Sequence, residues 1–216
     1  MKNIIVFFLV VTGFSAFSQE WKTVKMDSAV SFKLPKGFQR NKSDTTNNFS
    51  ATTAFGTILI FKAADNSVVT PDIERDKHLT NYYNDYRDRV QKSTSDGKIT
   101  NEKDSMLGDL KVKDFTLEID TGGGVQVRKF RLLHANNATY AFEFLFEAMH
   151  REYAAEECNQ FFNSIQVSEN MEREDQFTDL VKVEKPAMNP YLIGGGVLLA
   201  IAVVVFLVKR KKKHKH

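Results

Sequence analysis

"TYAFEFLFE", Thr139 to Glu147, alternates more cleanly than any other stretch of this 216-residue chain. In an extended strand successive side chains face opposite ways, so Tyr140, Phe142, Phe144 and Phe146 share one face and Ala141, Glu143, Leu145 and Glu147 the other. A slip of one residue would carry four aromatic rings into water, so burial of that face sets the register. The segment is predicted to be a strand of a sheet packed on an aromatic interior, and the 18 Phe of the chain can supply one.

Upstream, "DLKVKDFTLEID" (109–120) and "VQVRKFRLL" (125–133) read as two more strands, rich in β-branched and aromatic residues and bounded by turn formers. They are joined by "TGGG" and "HANNA". Gly122 to Gly124 have the composition of a phosphate cradle, but they stand between two strands with no helix or Gly-Lys-Ser/Thr after them, so a hairpin turn is expected. Further back, "EWKTVKM" and "AVSFKLPKGF" form a strand pair turning at "DSA", with Pro35 and Gly37 closing the second strand. "NKSDTTNN" is a polar loop, and "FSATTAFGTILIFKA" is a hairpin with Gly56 at its turn or bulge.

Between these groups the period changes. From Pro71 to Lys92, Leu79, Tyr82, Tyr83, Tyr86 and Val90 fall on one helical face. Thr70 is placed as the cap, Pro71 at the first helical position, and Asp72 and Glu74 at the positive end of the dipole. The tyrosine stripe reads as a packing face against a sheet. A second helix near Arg151 to Ser164 brings Ala154, Cys158, Phe161, Phe162 and Ile165 together. Cys158 is the lone cysteine, so no intrachain disulfide can form, and it reads as a small buried hydrophobe. The fold class is α+β: an antiparallel sheet of about six to seven strands packed with helices.

The order of elements, the early "VSFKLPKGF", the "YAFEFLFE" strand and the closing "CNQFFNSIQV" resemble the PsbP/DcrB-like fold over residues 20 to 168. The resemblance implies an α/β/α sandwich. It also implies a noncatalytic domain that helps assemble membrane complexes or serves at a bacterial cell envelope, with no fixed catalytic residues to carry over.

The two ends of the chain address placement. "MKNIIVFFLVVTGFSAFSQ" has one early charge, Lys2, an apolar run from Ile4 to Val11, and Ala16 and Ser18 at the positions of a cleavage site before Gln19. Residues 1–18 are expected to be a signal peptide; an uncleaved N-terminal anchor is the alternative. Tyr191 to Val208 holds no charge, and its 18 residues at ~1.5 Å each cover about 27 Å, enough to span a bilayer. Lys209, Arg210, Lys211, Lys212, Lys213 and Lys215 follow and are expected to hold that end in the cytoplasm and to meet anionic headgroups. The expected organisation is a signal peptide (1–18), an exported domain (19–169), a juxtamembrane linker (170–189), a transmembrane helix (190–208) and a basic tail (209–216). The expected placement is a single-pass protein of a bacterial inner membrane with a periplasmic domain. Gly196 and Ala200 give that helix a small-xxx-small spacing suited to weak self-association.

The net charge is +3, from 30 basic and 27 acidic residues; without Lys2 and the six tail residues, 23 basic remain against the 27. The exported part is acidic and lacks a basic stripe interleaved with aromatics, which argues against nucleic acid as a partner. His78, His134 and His150 stand in no ligand pair, His150 and Glu157 lie two helical turns apart, and no G-x-S-x-G elbow is present. No cofactor or metal is expected. "DSA", "DTT" and "DSM" at Asp27, Asp44 and Asp104 resemble a bacterial O-glycosylation motif, which would place glycans on Ser28, Thr45 and Ser105; the competing reading is that Asp-Ser and Asp-Thr favour turns. Two function classes follow. One is a noncatalytic module binding a membrane or envelope partner, for which an exposed aromatic patch is the diagnostic. The other is an envelope enzyme whose site is scattered through the sequence.

Overall fold

A computed structural model describes residues 19–42, 46–66, 70–94 and 96–178. The segments assigned to the signal peptide, the membrane helix and the basic tail from Lys209 to Lys215 lie outside them, as does Thr45. Among the described residues, no helix is long and apolar enough to cross a membrane.

The chain begins with the hairpin β1 (Trp21–Lys25) and β2 (Val30–Pro35), then β3 (Gln39–Lys42), β4 (Thr46–Thr52) and β5 (Thr57–Ala64). Helix α1 (Asp76–Lys92) leads to β6 (Lys98–Leu107), β7 (Leu110–Asp120), β8 (Val125–Ala135) and β9 (Ala138–Glu147). After a 3-10 turn at Ala148–His150 come α2 (Arg151–Asn163), the short β10 (Gln166–Val167) and a second 3-10 turn at Arg173–Gln176. Seven strands form one antiparallel sheet in the order β3-β4-β5-β9-β8-β7-β6, and β1-β2-β10 form a separate three-stranded sheet. The fold is α+β, with the strands divided between two sheets rather than gathered in one.

The opening segment lies at the centre. β9 pairs with β5 on one side and β8 on the other, and it is buried from Ala138 through Phe146. Its aromatic face meets Phe32 and Leu34 of β2 and Phe161 of α2. Its other face is buried too, because α1 lays Leu79, Tyr82, Tyr83 and Val90 over Phe115, Leu117, Phe130, Leu132 and Ala141. Alternation predicted one strongly buried face; coverage of the second makes Glu143 a buried carboxylate, and it is paired with the buried Arg128.

Three elements depart from the sequence reading. Residues 41–48 were expected to be loop, yet β3 and β4 pair across them through register partners such as Arg40 with Phe49. β3 is exposed along its whole length, so it carries no apolar alternation. The polar link after α1 holds β6, an edge strand whose register shifts between Thr100 and Lys103, with Asn101 at φ 50°. Its Glu102 meets Arg87 at 2.5 Å and Lys113 at 2.7 Å. Charges and a bulge are how edge strands resist pairing with other chains, and they also erase the strand pattern.

Helix α1 starts at Asp76, not at Pro71. Thr70 closes a local turn by accepting the Asn66 amide at 3.0 Å. Ile73 is held extended by Thr178: its amide donates to the Thr178 hydroxyl at 2.8 Å, and its carbonyl accepts the Thr178 amide at 2.9 Å.

That contact also ties residues beyond 169 to the fold. Met171 and Gln176 are buried, Phe177 packs against the α1 core, and the packed unit continues to Thr178. The last register pair of β7 and β8 at this end is Val112 with Leu133. Beyond it the Gln176 side chain bridges the two strands: its oxygen accepts the Lys111 amide at 2.7 Å, and its nitrogen donates to the carbonyls of Lys111 and His134, both at 2.9 Å. One fully buried amide takes over where the ladder ends.

Candidate functional site

The β4–β5 connection is Thr53-Ala54-Phe55-Gly56. The Thr53 amide donates to the Gly56 carbonyl at 2.9 Å, and the Gly56 amide donates back to the Thr53 hydroxyl at 2.9 Å. A Cβ on Gly56 would lie 2.6 Å from the Phe144 ring and 2.7 Å from the Leu145 carbonyl oxygen. Only glycine lets the turn press this closely on β9.

Helix α2 fixes the turn from the other side. Glu157 Oε1 accepts the Ala54 amide at 2.9 Å and Oε2 the Phe55 amide at 3.1 Å. Tyr153, one turn earlier on the same helical face, stacks on Phe55 with centroids 5.3 Å apart and planes 26° apart. The His150 ring lies 6.0 Å from Phe55. Phe55, Tyr153 and Met149 are 38%, 64% and 82% exposed. Large apolar side chains held in place yet left in water are the pattern of a contact surface.

This aromatic pole lies at the end of the sheet where the described chain starts, since the Gln19 side chain donates to the Thr52 carbonyl at 3.2 Å. The described chain ends at the other. There the Asn136 amide, in the tight β8–β9 turn, donates to the Asp175 carbonyl at 2.7 Å. β9 runs from one pole to the other, and its 10 residues at ~3.3 Å each separate them by about 30 Å.

The remaining polar clusters are structural. His134 is fully buried, with Nε2 2.8 Å from Asp65 Oδ2 and Nδ1 2.9 Å from the Gln176 carbonyl. A carbonyl can only accept, so Nδ1 carries a proton. Tyr83 accepts the His134 amide at 2.8 Å and donates to the Lys111 carbonyl at 3.1 Å. Tyr82 shares a 2.6 Å hydrogen bond with Thr139. Tyr82 and Tyr83 are thus packing residues with satisfied hydroxyls.

Cys158 is buried and free. Burial pushes its thiol up, against the pull of the nearby Lys129 ammonium. That basic neighbour comes from β8 and was not visible from the helix sequence. Among the described residues, no group of three or more His, Cys, Asp or Glu side chains is placed to hold a metal ion. His150 and Glu157 both meet Phe55, whereas Cys158 lies buried in the core.

Of the three Asp-Ser/Thr positions, two are described. Ser28 is exposed, and Asp27 before it is built into the fold. The Asp27 carboxylate accepts the amides of Ala29 and Val30 at 2.8 and 2.9 Å, the Lys62 ammonium at 2.6 Å and the Tyr140 hydroxyl at 2.8 Å. Burial alone would raise its pKa; the bonds from Lys62, Tyr140 and the two amides outweigh it and hold the group below the usual carboxylate value. Ser105 is half-buried on β6, and Asp104 before it pairs with Lys113 at 3.0 Å.

No protein-family model matches the chain, and no curated protein matches it. Among solved structures it is similar to the PsbP protein of the cyanobacterium Synechocystis, at 8% identity over 72% of this chain and 96% of that one, with a TM-score of 0.49. It is also similar to LpqN of Mycobacterium tuberculosis, described as involved in cell envelope biogenesis (11% identity, 70% of this chain, 92% of that one, TM-score 0.41). The Ran-binding protein Mog1p of Saccharomyces cerevisiae is a third (11%, 69%, 96%, 0.41). These are likenesses of fold.

Proposed function

We propose that this chain is a noncatalytic binding module, exported and held at the cell envelope by its C-terminal segment, and that it docks a protein partner on the pole formed by Phe55, Met149, His150 and Tyr153. The observation that carries the reading is the exposed Phe55–Tyr153 stack clamped by Glu157. Rings that are already ordered lose little conformational freedom when a partner covers them. Export and anchoring rest on the apolar run before Gln19 and on the uncharged stretch from Tyr191 to Val208 with its basic flank. Under this reading the domain is periplasmic, residues 179–189 tether it to an inner-membrane helix, and Ser28, Thr45 and Ser105 are the glycan positions.

The test is crosslinking in intact cells, followed by detergent capture of the full-length protein, the same chain without its last 30 residues, and a Phe55→Ala/Tyr153→Ala variant. A partner captured by the intact chain and lost with the double variant supports the module. Capture indifferent to both rings removes the pole from the account. Membrane sedimentation of the intact but not the shortened chain checks the anchor separately, and intact-mass measurement checks the glycans.

A further inference from the structure

The unpaired charges on α2 beside Tyr153 are carboxylates. Glu152 and Glu156 are exposed on α2, one turn apart and beside Tyr153, and Glu147 is exposed where β9 ends. None of the three makes an ion pair among the described residues, whereas the nearby cation Arg151 is engaged by Glu118 at 2.9 Å. Glu157 completes the acidic set, with its oxygens turned toward the Ala54 and Phe55 amides.

We infer that the occupant of this pole is a basic, apolar segment of another protein: a Lys or Arg within a few residues of an aromatic or aliphatic side chain. The inference rests on the binding-module reading and adds the partner's chemistry. An apolar side chain would cover the Phe55–Tyr153 stack, where aromatic contacts reach beyond their buried area. A cation beside it would meet Glu152 and Glu156 and the faces of the two rings, which attract cations. The same carboxylates repel an anionic lipid surface and disfavour a second copy of this pole, which would bring like charges together. Position is compatible with this: the described chain ends about 30 Å away, at the opposite pole.

The experiment places a benzophenone side chain at position 153 of the full-length protein, irradiates the cells in which it is expressed, and sequences the adduct by mass spectrometry. The expected adduct is a segment of a different protein with Lys or Arg beside an apolar residue, and its yield falls about tenfold with Glu152→Lys/Glu156→Lys, as charge reversal slows a steered encounter. Glu152→Gln/Glu156→Gln is the second variant, gives a smaller loss, and keeps the test open if charge reversal perturbs folding. A lipid adduct, an adduct to a second copy, or a protein adduct whose yield ignores the charges overturns the inference. The charge-indifferent protein adduct leaves the binding-module reading standing; absence of any protein adduct at an expressed, folded chain overturns both.

Discussion

Glu157 holds Phe55 without touching its ring: the carboxylate takes the amides of Ala54 and Phe55 from across a helix–turn junction, and the ring is left to stack on Tyr153. A charged acceptor bonded to two amides is worth more than a neutral one. Glu157→Ala is expected to lower stability by about 1–2 kcal/mol and Glu157→Gln, which keeps one acceptor oxygen, by roughly half of that. The specific readout is the near-ultraviolet circular dichroism of the Phe55–Tyr153 pair, which weakens in both. Unchanged dichroism in Glu157→Ala would show that the stack orders itself.

Gly56→Ala attacks the same turn from below. The added methyl would lie inside contact distance of the Phe144 ring and the Leu145 carbonyl. A loss of about 1–3 kcal/mol is expected, typical of overpacking, with chemical-shift changes concentrated at residues 53–57 and 144–145. A fully stable variant would show that the turn is free to lift off β9.

Arg128 and Glu143 are both nearly out of water. Removing one partner strands a buried charge, so Arg128→Met or Glu143→Leu is expected to cost about 3–5 kcal/mol. The double variant should cost far less than the two added together, and urea unfolding of the three variants measures the difference. Additive losses would mean that the two groups act independently.

Asp27 sets an acid limit. Its folded pKa lies below the ordinary 3.8, so the stability it contributes is fully present above that value and drains away as pH falls through the folded pKa. Asp27→Asn should therefore be less stable than the parent at neutral pH and should flatten the loss of stability as pH falls below 3.8. Parallel acid limbs in the two proteins would assign the loss to other carboxylates.

The end of the packed unit can be tested by truncation. A chain covering residues 19–178 is expected to unfold cooperatively, and one covering 19–169 to be destabilised, because the latter lacks Gln176 and leaves the Lys111 and His134 backbone groups without their partner. Each orphaned buried group costs about 1–3 kcal/mol. Gln176→Ala in the longer chain should show most of the same loss, and equal stability of the two lengths would return residues 170–178 to the linker.

Strands that face the interior were legible in the sequence because they are rich in apolar, β-branched and aromatic residues: β2, β5, β7, β8, β9 and the second half of β4, from Phe49, all are. β3 and β6 were not, since edge strands are held by backbone pairing and guarded by charge. The α1 stripe gave the packing face correctly, yet its start was misplaced because Thr70 and Pro71 are reasonable caps locally, and only Thr178, more than a hundred residues away, holds Ile73 extended. The aromatic pole was hidden for a similar reason. Phe55 reads as one more residue of a β-rich hairpin, and Tyr153 as a helix surface residue; their meeting depends on where α2 crosses the β4–β5 turn. Glu157 stood out only in its spacing from His150, and nothing on the helix shows that it meets the β4–β5 turn.

The opposite placement of Gln19 and Thr178 has a practical consequence for anyone labelling this protein. A fluorescent domain or affinity handle joined ahead of Gln19 would hang over Phe55 and Tyr153 and shade the surface under study, while one joined after Thr178 would sit at the far end of β9 and leave both rings open. Binding assays that disagree between the two designs would be reporting the position of the handle.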